Sequence, residues 1–178
     1  FRANAAVHFH DYFDGVGAVR AISQAGLYPA NVRLLDHNEC KYSGTGDGTT
    51  AVLILGFESA DHPVDAWMAR AMECAHDHKG FLPEESLSAK DDPHGGAAGR
   101  WREAFIKGGY LREMLTARGI IKETFETATT WDRFEEFYHA VHDATREAVE
   151  RATGKGAAVA CRFTHVYPDG PAPYFTFI

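Results

Sequence analysis

The length, composition and charge of the chain limit what it can be. Its 178 residues are 45% hydrophobic, which is enough for one well-buried core and too little for two ordinary domains. The net charge of −7, without clusters of Lys or Arg, argues against a nucleic-acid or anionic-membrane surface. Three widely separated cysteines, Cys40, Cys74 and Cys161, form neither a zinc motif nor a disulfide framework. We therefore expect one domain in a reducing cytoplasm.

No segment of the sequence predicts membrane insertion or secretion. No run of apolar residues is long enough to span a bilayer, and the first residues lack the basic-then-apolar order of a signal peptide. The chain starts at Phe1 without Met and stops on Tyr174–Ile178, which alternates like a strand and has no polar tail. We therefore expect residues 1–178 to be one domain cut from a longer protein.

The first half of the chain predicts the order strand, helix, strand, strand, helix. Alternating and short apolar runs indicate the strands, and longer apolar periodicity indicates the helices. The predicted strands are Ala5–Phe13, Ala30–Leu35 and Thr50–Phe57, the predicted helices run from Asp14 to Gly26 and from Asp61 to about His78, and a polar loop fills Asp36–Thr49. Pro63 is expected in the first turn of the second helix.

The second half predicts a similar unit after a long loop. The loop is Pro83–Gly99, and it is followed by a helix over about Arg100–Ala117, a strand at Ile120–Thr127, a helix capped by Thr130 that runs to about Thr153, and strands at Ala157–Val166 and Ala172–Ile178. Two strand-helix-strand-strand units predict an α+β fold of the ferredoxin-like or duplicated type. Its sheet should be mostly antiparallel, with the helices packed on one face.

The usual short motifs of catalysis and metal binding are weak in this sequence. Gly44–Gly48 is rich in glycine, but it precedes a predicted strand and lacks a Gly-Lys-Ser/Thr ending, so we expect an exposed hairpin loop. His139 and His142 have no third metal ligand beside them, and the paired carboxylates fall in predicted loops. The sequence therefore predicts no metal site.

Three arginines and one tyrosine remain as candidates. Arg33, Arg112 and Arg162 each interrupt an otherwise apolar segment, and the planar guanidinium suits a carboxylate or a phosphate. Each could instead pair within the fold, for instance with Asp36 or Glu113. The last two strands form a predicted hairpin with a Pro-Asp-Gly turn, in which a tyrosine by itself predicts packing only.

Four segments carry a more specific signal. They are Val32–Asp36, Tyr110–Glu113, Glu123–Thr127 with Trp131–Arg133, and Cys161–Thr164 with Tyr167–Phe177. Glu-Thr-Phe-Glu-Thr followed by Trp-Asp-Arg is the most specific, because a generic α+β domain has no reason to contain it. Together the segments resemble the carboxy-terminal half of FAD-linked oxidases of the vanillyl-alcohol-oxidase type. Within that family the resemblance is greatest to the alkylglycerone-phosphate synthases.

The resemblance implies a division of labour between two domains. A separate domain, absent from this chain, binds FAD, while the domain resembled here is a cap that covers the flavin and shapes the substrate pocket. The implied reaction replaces the acyl group of an acyl-dihydroxyacetone phosphate with a fatty alcohol, in ether lipid synthesis, without net oxidation. The implied partners are the FAD-binding domain and a lipid-like substrate. By itself the chain is expected to be inactive.

The resemblance also assigns roles to individual residues. Tyr174 matches a tyrosine with an acid/base role near the substrate, and Arg33 and Arg112 match functionally important arginines. Arg162 and His165, in the same matching segments, are expected on the substrate side. Pro173 departs from the family, which has an apolar residue before the tyrosine, and this departure bears on the local strand geometry.

Two other classes of function stay open. FAD-dependent D-2-hydroxyacid dehydrogenases share the cap fold and have a His-x-Gly-Asp-Gly-x-x-His motif that can hold a divalent metal. Here His165 could match the first histidine and Asp169–Gly170 the middle, whereas the second histidine is missing. A free-standing α+β ligand-binding module is the third class. The sequence leaves open the substrate, a homodimer, and membrane contact through absent parts of the protein.

Overall fold

Six antiparallel strands form one sheet in the computed structural model, which describes residues 1–83, 103, 106 and 112–178. The strands are β1 (Arg2–Phe9), β2 (Asn31–Leu35), β3 (Ala51–Glu58), β4 (Glu123–Glu126), β5 (Val159–Val166) and β6 (Pro171–Phe177). The helices are α1 (Tyr12–Gln24), α2 (His37–Ser43), α3 (Asp65–Asp77) and α4 (Phe134–Thr153), with a 3₁₀ turn at Trp131–Arg133 and helical residues at 103, 106 and 112–116.

The order of the strands shows two similar units. The sheet runs β1-β3-β2-β5-β6-β4, so each unit has its third strand between its first and its second. The units meet where β2 pairs with β5, at Leu35 and Arg162. Every pairing between strands in the described part of the chain is antiparallel. The predicted α+β fold with two strand-helix-strand-strand units is confirmed.

One face of the sheet is covered by α1, α3 and α4, which we call the helical layer. Strand residues that alternate toward this face, such as Val7, Leu53 and Phe163, are fully buried together with Val19 and Ile22 of α1. Near β5 and β6 the cover is α4, whose Phe137 and Val141 pack against Cys161 and Phe175. Because side chains alternate along a strand, the other residues of these strands point to the opposite face. We call this opposite face the open face.

A short helix on the open face corrects the predicted arrangement. The polar segment that was expected to be a loop contains α2, and Cys40 of this helix is buried against Leu35, Val52 and Ile54. These three strand residues alternate with those that face the helical layer, so the helices do not all lie on one face. The Gly44–Gly48 segment joins α2 to β3 and is therefore not a hairpin loop.

Several predicted element boundaries move by a few residues. Helix α1 begins at Tyr12 because Asp11, rather than Asp14, provides the cap by accepting a 2.8 Å hydrogen bond from the N–H of Phe13. Helix α3 begins after Pro63, at Asp65. Thr130 precedes the 3₁₀ turn and makes no side-chain cap, so α4 itself begins at Phe134.

Some expectations fall partly outside the described residues. The predicted loop Pro83–Gly99 lies outside them beyond residue 83, and so do most residues of the predicted helix Arg100–Ala117. The described residues at 103, 106 and 112–116 are helical, as that prediction requires. In the part of the chain that the structure describes, no helix is both long and apolar enough to cross a bilayer.

Candidate functional site

Cross-strand pairing brings polar and charged side chains together on the open face. In the register of the sheet, Leu35 pairs with Arg162, Arg162 with Tyr174, and Tyr174 with Glu126. Residues that pair directly across antiparallel strands point to the same face. Since Leu35 packs against α2 on the open face, the side chains of Arg162 and Tyr174 lie on that face as well.

Arg162 has two close partners at the centre of this face. Its Nη1 donates to Oε1 of Glu39 on α2 at 2.6 Å, and the two side chains are only 14% and 7% exposed. The guanidinium carbon lies 4.0 Å from the centroid of the Tyr174 ring. This distance is well inside the range of a cation–π contact. One arginine therefore connects an acidic residue of the helix to the tyrosine of β6.

Helix α2 has the position it does because Asp36 anchors it. Oδ1 of Asp36 accepts a hydrogen bond of 2.7 Å from the N–H of Glu39 and so caps the helix. Its Oδ2 accepts 2.7 Å and 3.1 Å bonds from the N–H of Cys161 and the hydroxyl of Tyr138. Burial raises the pKa of Asp36 to about 7, against the opposing effect of these donors. The helix is thus tied to β5 and to α4 by one carboxyl group.

Arg33 adds a second positive charge beside Arg162. Burial and then the charge of Arg162 lower the pKa of the Arg33 guanidinium from its usual value. Its Nε donates to Oδ1 of Asn31 at 3.1 Å. Arg33 and Arg162 thus bring two guanidinium groups together on the open face, with Glu39 beside Arg162 and Glu126 across from Tyr174 on the same face. The planar guanidinium suits a carboxylate or a phosphate, so an anion is the class of ligand that this pair of arginines fits.

Buried donors on β5 that have no hydrogen-bond partner among the described residues also favour an anionic ligand. Nε of Arg162 and the hydroxyl oxygen of Thr164 are buried, and they have no hydrogen-bond partner among the described residues. A buried donor without a partner costs free energy, and a bound carboxylate or phosphate oxygen would remove that cost. Nε is part of the Arg162 guanidinium, and Thr164 follows two residues later, so both donors belong to the strand that carries this arginine.

A β-bulge places His165 on the open face. The register of β5 shifts between Phe163 and His165, so that His165 pairs with Ala172 while Val166 packs against the helical layer. Without the extra residue, alternation would turn His165 toward the helices. Its side chain is exposed, beyond the two arginines along the strand.

Tyr174 is held at both ends of its side chain. Its ring stacks with Arg162, and its hydroxyl donates to Oγ1 of Thr124 on β4 at 2.7 Å. The preceding Pro173 lies opposite Phe163 at the bulge, where its missing N–H does not interrupt the ladder, and its carbonyl accepts from the N–H of Thr127 at 3.0 Å. The strand geometry around Tyr174 is therefore regular despite the proline.

Arg112 lies apart from this cluster. Its Nη2 forms an ion pair with Glu123, and both side chains are largely exposed. Glu123 pairs with Phe177 and precedes Thr124, so alternation directs it away from the open face. The structure brings Arg33, Arg162 and Tyr174 together, with His165 farther along the same face, and does not place Arg112 with them.

Two members of the cluster were missed in the sequence. The sequence predicts a loop at Glu39 and only a strand position for Thr124. A signal for the first exists: Asp36-x-x-Glu39 is the pattern of a helix N-terminus, in which an acidic cap precedes a glutamate at the third helical position. Gly44, with a φ of +69°, ends the same helix in the left-handed conformation. Nothing local identifies Thr124, because its contact with Tyr174 depends on sheet pairing.

The glycine-rich loop Gly44–Gly48 packs on its own fold and is not arranged to hold the pyrophosphate of FAD. The amides of the Gly44–Gly48 loop serve its own fold, since the N–H of Gly46 donates to the carbonyl of Cys40 at 3.2 Å. A Cβ on Gly48 would lie 3.2 Å from the carbonyl oxygen of His37, so the loop packs closely on α2. In the described residues no three His, Cys, Asp or Glu side chains converge as metal ligands.

Fold and site together define a class of α+β domain in which one face of an antiparallel sheet is packed by helices and the other carries arginines beside a tyrosine. Comparison with known proteins gives the family. Residues 1–178 match the family described as FAD linked oxidases, C-terminal domain, and the chain belongs to this family. FAD is the cofactor of the enzymes that the family name describes.

Individual relatives agree with this assignment. An alkyldihydroxyacetonephosphate synthase of Caenorhabditis elegans is 23% identical over 201 residues, covering 95% of this chain and 31% of that protein. Two structures of an alkyldihydroxyacetonephosphate synthase, in P1 and in P212121, match 99% of this chain at 17% identity with TM-scores of 0.70 and 0.76. They share the fold. The chain spans about a third of the length of each of these proteins.

Proposed function

We propose that the chain is the substrate-side cap domain of an FAD-dependent enzyme whose reaction is that of an alkylglycerone-phosphate synthase. The observation that carries the proposal is the cluster of Arg33, Arg162 and Tyr174 on the open face. A phosphate-bearing ketone needs both a cationic anchor and a group that can exchange a proton. The cluster has both on one surface, opposite to the helices that form the core.

In the proposed reaction, an acyl-dihydroxyacetone phosphate and a fatty alcohol give an alkyl-dihydroxyacetone phosphate and a fatty acid. The bond between the substrate carbon and the carboxylate oxygen breaks, the bond to the alcohol oxygen forms, and the alcohol proton leaves with the fatty acid. When bound, FAD would supply the isoalloxazine ring with which the substrate carbon is activated, without net oxidation. FAD is held by a separate domain of the same protein.

The residues of this chain bind the substrate and move its proton. Arg33 and Arg162 hold the phosphate through charge-assisted hydrogen bonds, in which the free Nε of Arg162 and the hydroxyl of Thr164 take part. The hydroxyl of Tyr174 exchanges a proton with the substrate carbon or its hydroxyl. Thr124, its hydrogen-bond partner, keeps that oxygen at the edge of the sheet.

Arg112 has a separate place in this proposal. Its ion pair with Glu123 is exposed, and exposed pairs stabilise a fold little. To bind a substrate carboxylate or phosphate, the guanidinium would have to leave Glu123, which is directed away from the open face, so a substrate role for Arg112 rests on the resemblance alone. His165, also exposed, lies where it can contact a bound substrate beyond the arginines.

A steady-state assay of the complete flavoenzyme that contains this chain tests the proposal. One reaction contains an acyl-dihydroxyacetone phosphate and a fatty alcohol, and the other contains a D-2-hydroxyacid and an artificial electron acceptor. We expect ether product in the first and no reduction of the acceptor in the second. Oxidation of the hydroxyacid without ether formation would contradict the proposal.

Oxidation of the hydroxyacid would favour a D-2-hydroxyacid dehydrogenase, and one observation supports this alternative. The bulge on β5 directs His165 to the same face as Arg162, and this histidine matches the first position of the dehydrogenase motif. A carboxylate is also a suitable ligand for paired arginines. The matching second histidine is absent, and Tyr174 lies close to its place.

A further inference from the structure

The ion pair between Glu39 and Arg162 is difficult to explain by stability alone. Both side chains are buried, and removing two charges from water costs about as much free energy as their attraction returns. An apolar pair of similar volume would stabilise the fold equally well. The open face around it already buries Leu35, Cys40 and Val52. A buried ion pair is weak evidence for stabilisation, so its geometry is the place to look for another role.

The geometry shows what the pair controls. The planar guanidinium of Arg162 lies over the ring of Tyr174. The hydrogen bond from Nη1 to Glu39 fixes the orientation of the guanidinium plane, and the tyrosine ring packs against that plane. The other end of the ring is fixed by the hydroxyl bond to Thr124. Glu39 itself is fixed through its N–H, which donates to Asp36. The chain of contacts leads from the anchored helix α2 to the tyrosine.

We propose that Glu39 is a positioning residue that holds Arg162 against Tyr174 and thereby orients the tyrosine hydroxyl toward the substrate. This proposal rests on the proposed function, in which Tyr174 exchanges a proton. A positioned proton-transfer group loses much of its effect when its orientation is no longer fixed. Glu39 does not contact the substrate in this proposal, and it acts only through its neighbours.

Glu39→Gln removes the charge and keeps the shape, and we expect kcat to fall about ten- to a hundredfold while KM changes by less than about threefold. In the double variant with Tyr174→Phe, turnover should equal that of Tyr174→Phe alone, because the role of Glu39 passes through the tyrosine. Multiplying effects in the double variant would overturn the proposal.

Glu126→Gln is the matched control for charge. It removes a carboxylate that pairs directly across from Tyr174, on the opposite side from Arg162. We expect a smaller fall in kcat than for Glu39→Gln. An equal fall would mean that the negative charge near the tyrosine matters rather than the position of Arg162, and would overturn the proposal.

A variant with an apolar pair tests whether the ion pair serves stability. Glu39→Met combined with Arg162→Leu replaces the ion pair by apolar side chains of similar size, and its melting temperature should equal or exceed that of the wild-type protein. Turnover of this variant does not test positioning, because Arg162 is also a proposed phosphate anchor. A melting temperature well below that of the wild type would show that the pair stabilises the fold, and would overturn the argument that it has another role.

An NMR measurement distinguishes failure of this proposal from failure of the proposed function. Nuclear Overhauser contacts between the Arg162 side chain and the Tyr174 ring, assigned by the change in ring-proton shifts in Tyr174→Phe, should be lost in Glu39→Gln and kept in Glu126→Gln. Their persistence in Glu39→Gln overturns the positioning role whatever the enzyme does. If they are lost but Tyr174→Phe is as fast as wild type, the catalytic role of the tyrosine has failed and the structural coupling stands.

Discussion

The two faces of the sheet differ in the kind of side chain that one and the same strand buries on each. Along β5, Cys161 and Phe163 point to the helical layer and lie in an aromatic and aliphatic core, while Arg162 and Thr164 point to the open face. On the first face, buried side chains are satisfied mainly by packing, although Nε2 of His142 on α4 is buried without a hydrogen-bond partner among the described residues. On the second, an arginine and a hydroxyl are buried with bonding capacity that the described residues leave unused. The first face maintains the fold, and the second carries the charged side chains to which we assign the substrate.

The two faces are linked through Asp36. It follows β2, caps α2 on the open face, and accepts a hydrogen bond from Tyr138 of α4 in the helical layer. The site is thus placed on the core by a buried carboxyl group rather than by a loop. This linkage makes the comparison testable, since changes on each face should affect different measurements.

The largest difference should be found between two tyrosines. Tyr174→Phe removes the hydroxyl on the open face, and we expect turnover of the complete enzyme to fall about 10²- to 10⁴-fold because a positioned proton-transfer group is lost. Its stability should change by no more than about 1 kcal/mol, the net value of one hydrogen bond. Steady-state kinetics and thermal unfolding measure the two effects.

Tyr12→Phe is the matched control in the helical layer. Tyr12 is buried, and its hydroxyl donates only a weak 3.7 Å bond to Sγ of Cys161. We expect about 1 kcal/mol or less in unfolding free energy and no measurable change in turnover. If the two variants are equally active, Tyr174 is a packing residue and the two faces do not differ in function.

A core substitution should have the reverse effect. Phe163 is fully buried, with its ring centroid 5.0 Å from that of Phe134 and 6.0 Å from that of Trp131. Phe163→Ala should lower the unfolding free energy by about 3–5 kcal/mol, the usual range for such a cavity in a core. The folded fraction should still turn over substrate. Urea unfolding measures the loss, and a loss below about 1 kcal/mol would show that the site collapses around the cavity.

Asp36 should make stability depend on pH in the unusual direction for a carboxyl group. Its folded pKa of about 7 lies above the unfolded value of about 3.9. The stabilisation is therefore complete below about pH 4 and is lost as the pH rises through 7, by at most about 1.4 kcal/mol for each pH unit. Urea unfolding between pH 4.5 and pH 8, in wild type and in Asp36→Asn, should show this slope only in the wild-type protein. Equal slopes would mean that the three donors keep Asp36 ionised.

Much of the fold could be predicted from sequence because its elements are periodic. Strands β3, β5 and β6 and the long helix α4 have apolar residues at the spacing of a strand or a helix, and these residues pack in the core of the folded chain. Helix α2 was missed because its seven residues, His37–Ser43, are polar and too short for periodicity to show. Its cap and its terminal glycine were the only local signals. The prediction that the helices lie on one face is therefore wrong only for α2 among the described helices. This helix carries Glu39, which binds Arg162 in the candidate site.

The site could be predicted only in part, and for a different reason. Resemblance to a family indicated Arg33, Arg162 and Tyr174, whose proximity depends on the pairing of β2, β5 and β6 and is not visible along the chain. The partner of Arg162 is Glu39, 123 residues away in sequence. Asp36, considered as a partner for an arginine, accepts backbone and tyrosine donors instead. Long-range contacts of this kind carry no sequence pattern.

The last prediction concerns flavin binding. We expect the isolated chain to bind no FAD. Pyrophosphate needs backbone N–H groups that are free at a loop or at the start of a helix. In the described loop Gly44–Gly48, the Gly46 amide is bonded to Cys40 and a Cβ on Gly48 would crowd His37, so this loop is packed on α2 rather than opened for a ligand.

The chain, purified alone after expression with excess FAD, should be colourless and should release no flavin on denaturation. The complete protein is the positive control, and it should release one flavin per chain under the same conditions. Stoichiometric FAD in the isolated chain would mean that the open face binds the cofactor without a second domain. The comparison of the two faces would then change, because Arg33 and Arg162 would be anchors for the FAD phosphates instead of the substrate phosphate.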